Sequence, residues 1–123
     1  LQKIASEISR ASELIAVGLP MDVMAFGCTS ASLVIGEKSI SKLLTAKRGA
    51  LPATNPWTAV KASFALLGAK KVAVFSPYPT EVNRLIYHNL KKEGYEVPVL
   101  TSLGIEHDTE ITRVSRGVYE RGP

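Results

Sequence analysis

Apolar residues recur along the chain in two alternating rhythms. Leu1, Ile4, Ile8, Ala11 and Ile15 share one face at helical spacing, with Lys3, Glu7, Arg10 and Glu13 largely elsewhere. Gly18 and Pro20 stop this helix. Asp22 to Gly27 is a short apolar run bounded by turn residues, as in a buried parallel strand. Ala31 to Lys47 reads as the next helix, weakened at Gly36, and a short strand is predicted near Ala50 to Ala53. Asn55-Pro56 is a helix start, with Asn55 as N-cap and Pro56 in the first helical position; the helix runs to Leu67. Lys71 to Phe75 is the clearest strand. Thr80 to Glu93 is a helix with Val82, Leu85, Ile86 and Leu90 inward, closed by Gly94. Tyr95 to Leu100 is a strand in which Pro98 removes one ladder donor, and a last helix spans Thr109 to Tyr119.

Strands alternating with helices indicate an α/β fold: a parallel sheet with helices on both faces. The sequence shows no internal repeat, low-complexity tract or flexible linker.

Composition narrows the setting. At 123 residues and 46% hydrophobic content, the chain is large enough to bury a core. No apolar run approaches the roughly 20 residues that cross a bilayer, so neither a membrane nor a secretory leader is expected. The formal charge of +4 suits anionic ligands, but the basic residues are scattered, without the basic stripe and interleaved aromatics of a nucleic-acid surface. The single cysteine, Cys28, has no internal disulfide partner, which favours a reducing, cytoplasmic setting. The chain opens at Leu1 already in helical pattern, and Gly117 to Pro123 complete no element. A fragment of a longer protein is therefore expected.

Ligands of open parallel sheets bind beyond the carboxyl ends of the strands. Two loops qualify: Gly27-Cys28-Thr29-Ser30 after the strand at 22–27, and Ser76-Pro77-Tyr78-Pro79 after the strand at 71–75. Both lead into helices, whose starts favour negative charge, a carboxylate or thiolate included. Thr29, Ser30 and Tyr78 add hydroxyl donors able to hold a carboxylate, or an enolate developing from it. Each residue also has a plainer use. A lone cysteine is more often a small buried hydrophobe, Thr29 and Ser30 serve as ordinary helix-start residues, and Tyr78 between prolines can simply fill a turn. His88 lies within a helix, and His107 sits in a polar loop with Glu106 and Asp108. One imidazole with no second His or Cys at ligand spacing is weak evidence for metal, and none is expected. No phosphate-binding glycine motif follows a strand.

Several segments together resemble a known family. Phe26-Gly27-Cys28-Thr29-Ser30-Ala31-Ser32, followed by Ile35-Gly36-Glu37, is similar to the first cysteine motif of the aspartate/glutamate racemase superfamily, within its maleate isomerase and arylmalonate decarboxylase branch. Thr54-Asn55-Pro56 and the run Ala65 to Val74 resemble the next helix and strand there. Ser76-Pro77-Tyr78 with Glu81-Val82-Asn83 resembles that branch's Thr-Pro-Tyr loop, and Thr101 to Ile105 with Asp108 also fits.

The resemblance implies a cofactor-independent enzyme of about twice this length, with two similar α/β domains and one reactive cysteine from each half. Residues 1–58 would belong to the first domain and 59–123 to the second. Cys28 matches the first cysteine, used as acid or base by the racemases and as a nucleophile by the maleate isomerases. Thr29, Ser30 and Tyr78 match carboxylate-binding residues, and Asn55 lies in a nearby loop of the same kind. The opening strand and the segment carrying the partner cysteine are absent. In the arylmalonate decarboxylases glycine stands where Cys28 does, so Cys28 favours a racemase or isomerase. The expectation is a racemase or cis–trans isomerase of a small carboxylate or amino acid, without cofactor, working as a homo-oligomer. The alternatives are a decarboxylase of a malonate-type substrate and a non-catalytic carboxylate-binding module.

Overall fold

The computed structural model describes residues 2–121. Leu1, expected on the first helix, lies outside them, as do Gly122 and Pro123 and the side chains of Gln2 and Lys3. The chain forms two compact units, the first ending at Leu67 and the second starting at Gly68.

The first unit contains α1 (Gln2–Leu14), β1 (Met24–Ala25), α2 (Thr29–Ile35), α3 (Glu37–Thr45), β2 (Ala53–Thr54) and α4 (Pro56–Leu66). β1 and β2 pair in parallel, Met24 opposite Ala53 and Ala25 opposite Thr54. The crossover between them is helical, as a parallel pair requires. Ile8, Met24, Ile40 and Leu44 form the buried cluster, with Met21, Phe26, Ile35, Leu43, Leu51 and Ala53 packed against it. Arg48 closes the end of α1: its Nη2 donates to the carbonyls of Ser12 (2.7 Å), Glu13 (3.1 Å) and Ile15. A cation there offsets the negative end of the helix and serves carbonyls that have no intrahelical partner.

The second unit contains β3 (Val74–Ser76), α5 (Thr80–Lys92), β4 (Leu100–Ser102), α6 (Asp108–Ile111) and α7 (Arg116–Arg121). β3 and β4 are parallel, with Val74, Phe75 and Ser76 opposite Leu100, Thr101 and Ser102. Val72, Ile86 and Leu90 are buried, and Phe75 meets Tyr119 with ring centres 5.6 Å apart.

The α/β reading with parallel strands holds, while several boundaries move. The helix expected over 31–47 is two helices. Gly36 separates them at φ +88° and ψ 142°, a conformation that nearly every residue with a Cβ avoids. The strand expected over 95–100 lies at 100–102; before it only Lys71 and Glu96 form an isolated bridge. Pro98, with no N–H to give, interrupts the ladder between them. The expected last helix breaks between Ile111 and Arg116. The inward stripe expected on α5 was too generous, and the apolar face of the first helix is largely open. Of the described apolar residues on that face only Ile8 is buried, whereas Ile4 and Ile15 are about half exposed, at 46% and 51%. They line an open groove of about 460 Å³ with Ala11, Phe26 and Leu44. On α5, Leu85 is exposed, and Asn83 takes a buried place beside Ile86 and Leu90. No helix among the described residues is long and apolar enough to cross a membrane.

Candidate functional site

Cys28 stands at the turn from strand to helix. β1 ends at Ala25, and Cys28 occupies the N-cap of α2 in extended conformation (φ −111°, ψ 113°), with no side chain capping the helix. Its carbonyl accepts twice from one residue, from Ser32 N–H at 3.0 Å and Ser32 Oγ at 2.6 Å. Ser32 is fully buried, and this bond pair fixes the Cys28 backbone to the first turn of α2. The thiol itself is free and exposed, with Sγ 3.5 Å from Ser30 Oγ. Thr29 and Ser30 are half-buried. The structure thus sets the Cys28 thiol against the Ser30 hydroxyl, with Thr29 between them in the chain. An exposed thiol beside a hydroxyl can attack an electrophile or exchange a proton, and a buried structural cysteine can do neither.

Asn55 follows β2, and Phe26 N–H reaches Thr54 carbonyl at 3.0 Å, so the exits of the two strands run side by side. Asn55 is buried and caps α4 as expected: its Oδ1 accepts from Thr58 N–H at 3.1 Å. Its Nδ2 donates to Thr58 Oγ1 at 2.9 Å, and that hydroxyl donates to Glu37 Oε1 at 2.7 Å. Lys61 Nζ closes the chain on Glu37 Oε2 at 2.7 Å. Burial pushes the Glu37 carboxyl up, but the hydrogen bonds from Lys61 and Thr58, with the charge of Lys61, outweigh it and hold Glu37 below the usual carboxylate range. Asn55 therefore has a structural task here.

Tyr78 belongs to the second unit, in the loop between β3 and α5, and is half-buried. Two buried polar residues hold it. Ser76 Oγ accepts from Tyr78 N–H at 3.3 Å and donates to Asn83 Oδ1 at 2.5 Å. Asn83 Nδ2 donates to the carbonyls of Tyr78 at 2.7 Å and Pro79 at 3.2 Å. Across the loop, Leu103 N–H reaches Ser76 carbonyl at 3.0 Å and Ile105 N–H reaches Pro77 carbonyl at 2.8 Å.

His88 is exposed and packs edge-on against Tyr87 at 5.8 Å, and His107 precedes α6. Sequence reasoning gave no role to Ser32, Ser76, Glu37 with Lys61, or Asn83, whose bonds hold the two loops and the Asn55 cap. Asn83 had a signal, because it falls on the Ile86 and Leu90 face at helical spacing, where an unpartnered amide would be costly. Glu37 and Lys61 meet only through the fold, and no local pattern joins them.

The family model of arylmalonate decarboxylase matches residues 2–120. The chain belongs to that family. Within the aspartate/glutamate racemase superfamily it falls in the maleate isomerase and arylmalonate decarboxylase branch, as the two loops implied. A maleate isomerase of Geobacillus stearothermophilus is 33% identical over 99 residues, covering 75% of this chain and 39% of that protein. Among solved structures, a mutant of the Nocardia farcinica maleate cis–trans isomerase with a covalently bound succinylcysteine intermediate superposes with a TM-score of 0.79. It is 20% identical and covers 92% of this chain and 49% of that one. Unliganded arylmalonate decarboxylase gives a TM-score of 0.69 at 24% identity, over 93% of this chain and 48% of that one. These two structures share the fold of this family member. The chain spans 39% of the curated relative it matches.

Proposed function

We propose that the whole protein is a cofactor-independent cis–trans isomerase or racemase of a small carboxylate, with Cys28 as its reactive group. The observation that carries this reading is the exposed Cys28 thiol at the exit of β1, in a chain 33% identical to a maleate isomerase. The decarboxylase reading draws on the family match. Against it stands the thiol itself, since the resemblance implies glycine at this place in the decarboxylases.

For a cis dicarboxylate, the Cys28 thiolate adds to one carbon of the double bond. A carbon–sulfur bond forms, and the alkene electron pair moves onto the neighbouring carbon and its carboxylate as an enolate. The former double bond is now single and rotates. Collapse of the enolate restores the double bond in the trans arrangement and expels the thiolate, so no proton or electron is gained or lost overall. The covalent succinylcysteine intermediate of the Nocardia farcinica enzyme supports such an adduct. Thr29, Ser30 and Tyr78 would donate to the carboxylates, and the remaining amide hydrogen of Asn55 would add one bond. Preorganised donors of this kind matter most as charge develops on the enolate. For racemisation, Cys28 would be one of two groups on opposite faces of a carbon, the other lying outside this chain. Residues 1–58 and 59–123 would then contribute to the first and second domains of the whole enzyme.

The test follows maleate absorbance with the whole protein. We expect turnover that Cys28→Ala abolishes; full activity in that variant would overturn the mechanism. The 123-residue chain alone should be inactive: racemisation needs a second group beyond its one cysteine, and isomerisation needs a closed, water-poor cleft, of which a chain spanning 39% of its relative would supply only a part.

A further inference from the structure

We infer that Asn83, acting with Ser76, is a positioning residue that sets where Tyr78 presents its hydroxyl; this rests on the reading of Tyr78 as a carboxylate donor. Tyr78 lies between two prolines, whose rings fix their own φ angles and remove their own N–H groups. The loop has few backbone donors of its own; Leu103 and Ile105 N–H groups hold the Ser76 and Pro77 carbonyls, and at Tyr78 the brace comes from side chains. Both backbone polar groups of Tyr78 are held from within, the N–H by Ser76 Oγ at 3.3 Å and the carbonyl by Asn83 Nδ2 at 2.7 Å. The two clamping side chains are themselves joined at 2.5 Å and are only 5% and 4% exposed.

This is not how an asparagine caps a helix. A cap turns its oxygen towards free N–H groups. Asn83 instead turns its nitrogen outward to two loop carbonyls and its oxygen to a serine hydroxyl. The chemistry demands an amide: aspartate is the same size, but would set a charged oxygen against the Tyr78 and Pro79 carbonyls. With the backbone tied on both sides, the direction in which the Tyr78 side chain leaves the loop is fixed before any ligand arrives. Such preorganisation appears as tighter binding, because the ligand need not order the donor.

The experiment uses the whole protein and measures the maleate concentration that half-protects Cys28 from iodoacetamide. Tyr78→Phe, Asn83→Asp and Ser76→Ala should each raise that concentration about tenfold, the share of one hydrogen bond. In the Tyr78→Phe background, Asn83→Asp and Ser76→Ala should change it by less than about twofold, since they act through the missing hydroxyl. Ser76→Ala carries the test alone if Asn83→Asp does not fold. If Tyr78→Phe weakens protection and the second substitutions weaken it again by their full factor, the positioning role is wrong and the carboxylate reading stands. If maleate gives no protection, or Tyr78→Phe leaves it unchanged, the carboxylate reading falls and this inference with it.

Discussion

The Cys28 loop and the Tyr78 loop solve one problem with different hardware. Each follows the carboxyl end of a short parallel strand, and each is tied down by a buried polar side chain from the helix that follows. On the Cys28 side one residue, Ser32, does this, and both its bonds fall on a single carbonyl already held by the helix ladder. On the Tyr78 side, Ser76 and Asn83 form a clamp in which the Pro79 carbonyl also takes the Asn83 N–H at 3.1 Å, while the Tyr78 carbonyl depends on the Asn83 amide. The difference suits the chemistry proposed for each. A nucleophile needs an accessible thiol that can move along the bond it forms. A carboxylate donor is most useful when it cannot move.

The contrast can be broken in order of effect. Cys28→Ala in the whole protein should reduce maleate turnover to background, with the denaturation midpoint nearly unchanged because the thiol is exposed. A large loss of stability instead would mark Cys28 as a packing residue. Asn83→Ala should destabilise the protein by about 3 kcal/mol, measured by urea denaturation, because it strips the partner from a buried hydroxyl and a loop carbonyl. Ser32→Ala should cost only about 1 kcal/mol in the same assay, since the Ser32 N–H still serves the Cys28 carbonyl. Equal costs for the two would erase the distinction between a single tie and a clamp.

Acid should distinguish the two units further. The clamp around Tyr78 is neutral, whereas the first unit sets the Glu37–Lys61 ion pair behind Asn55. Glu37 is held below the usual carboxylate range in the folded protein. Its stabilisation is thus fully present above the ordinary, unfolded-state carboxylate value and is lost as pH falls through the folded-state value. Glu37→Gln should flatten the acid limb of the stability–pH curve by under about 1 kcal/mol, as both side chains are one-quarter exposed. An unchanged limb would show the pair to be ornamental.

Much of this arrangement was legible in the residues. Alternating rhythms located most of the elements, and Asn55-Pro56 marked the start of α4 because capping is local chemistry. The order and spacing of several segments, the two loops among them, pointed to the family. What stayed hidden was tertiary. The break at Gly36 depends on a backbone angle that periodicity does not register. The exposure of Ile4 and Ile15 depends on what packs beside α1. Glu37 meets Thr58 and Lys61 only after α3 and α4 have come together.

The parallel pairing of these strands has a consequence for how the chain folds. β1 cannot find β2, nor β3 find β4, until an intervening helical stretch has doubled back. Closing such a loop costs entropy before any ladder bond is made, and ladders of two and three residues return few bonds. We therefore expect α3 and α5 to be formed in the transition state, with strand registration, and hence both candidate loops, falling into place last.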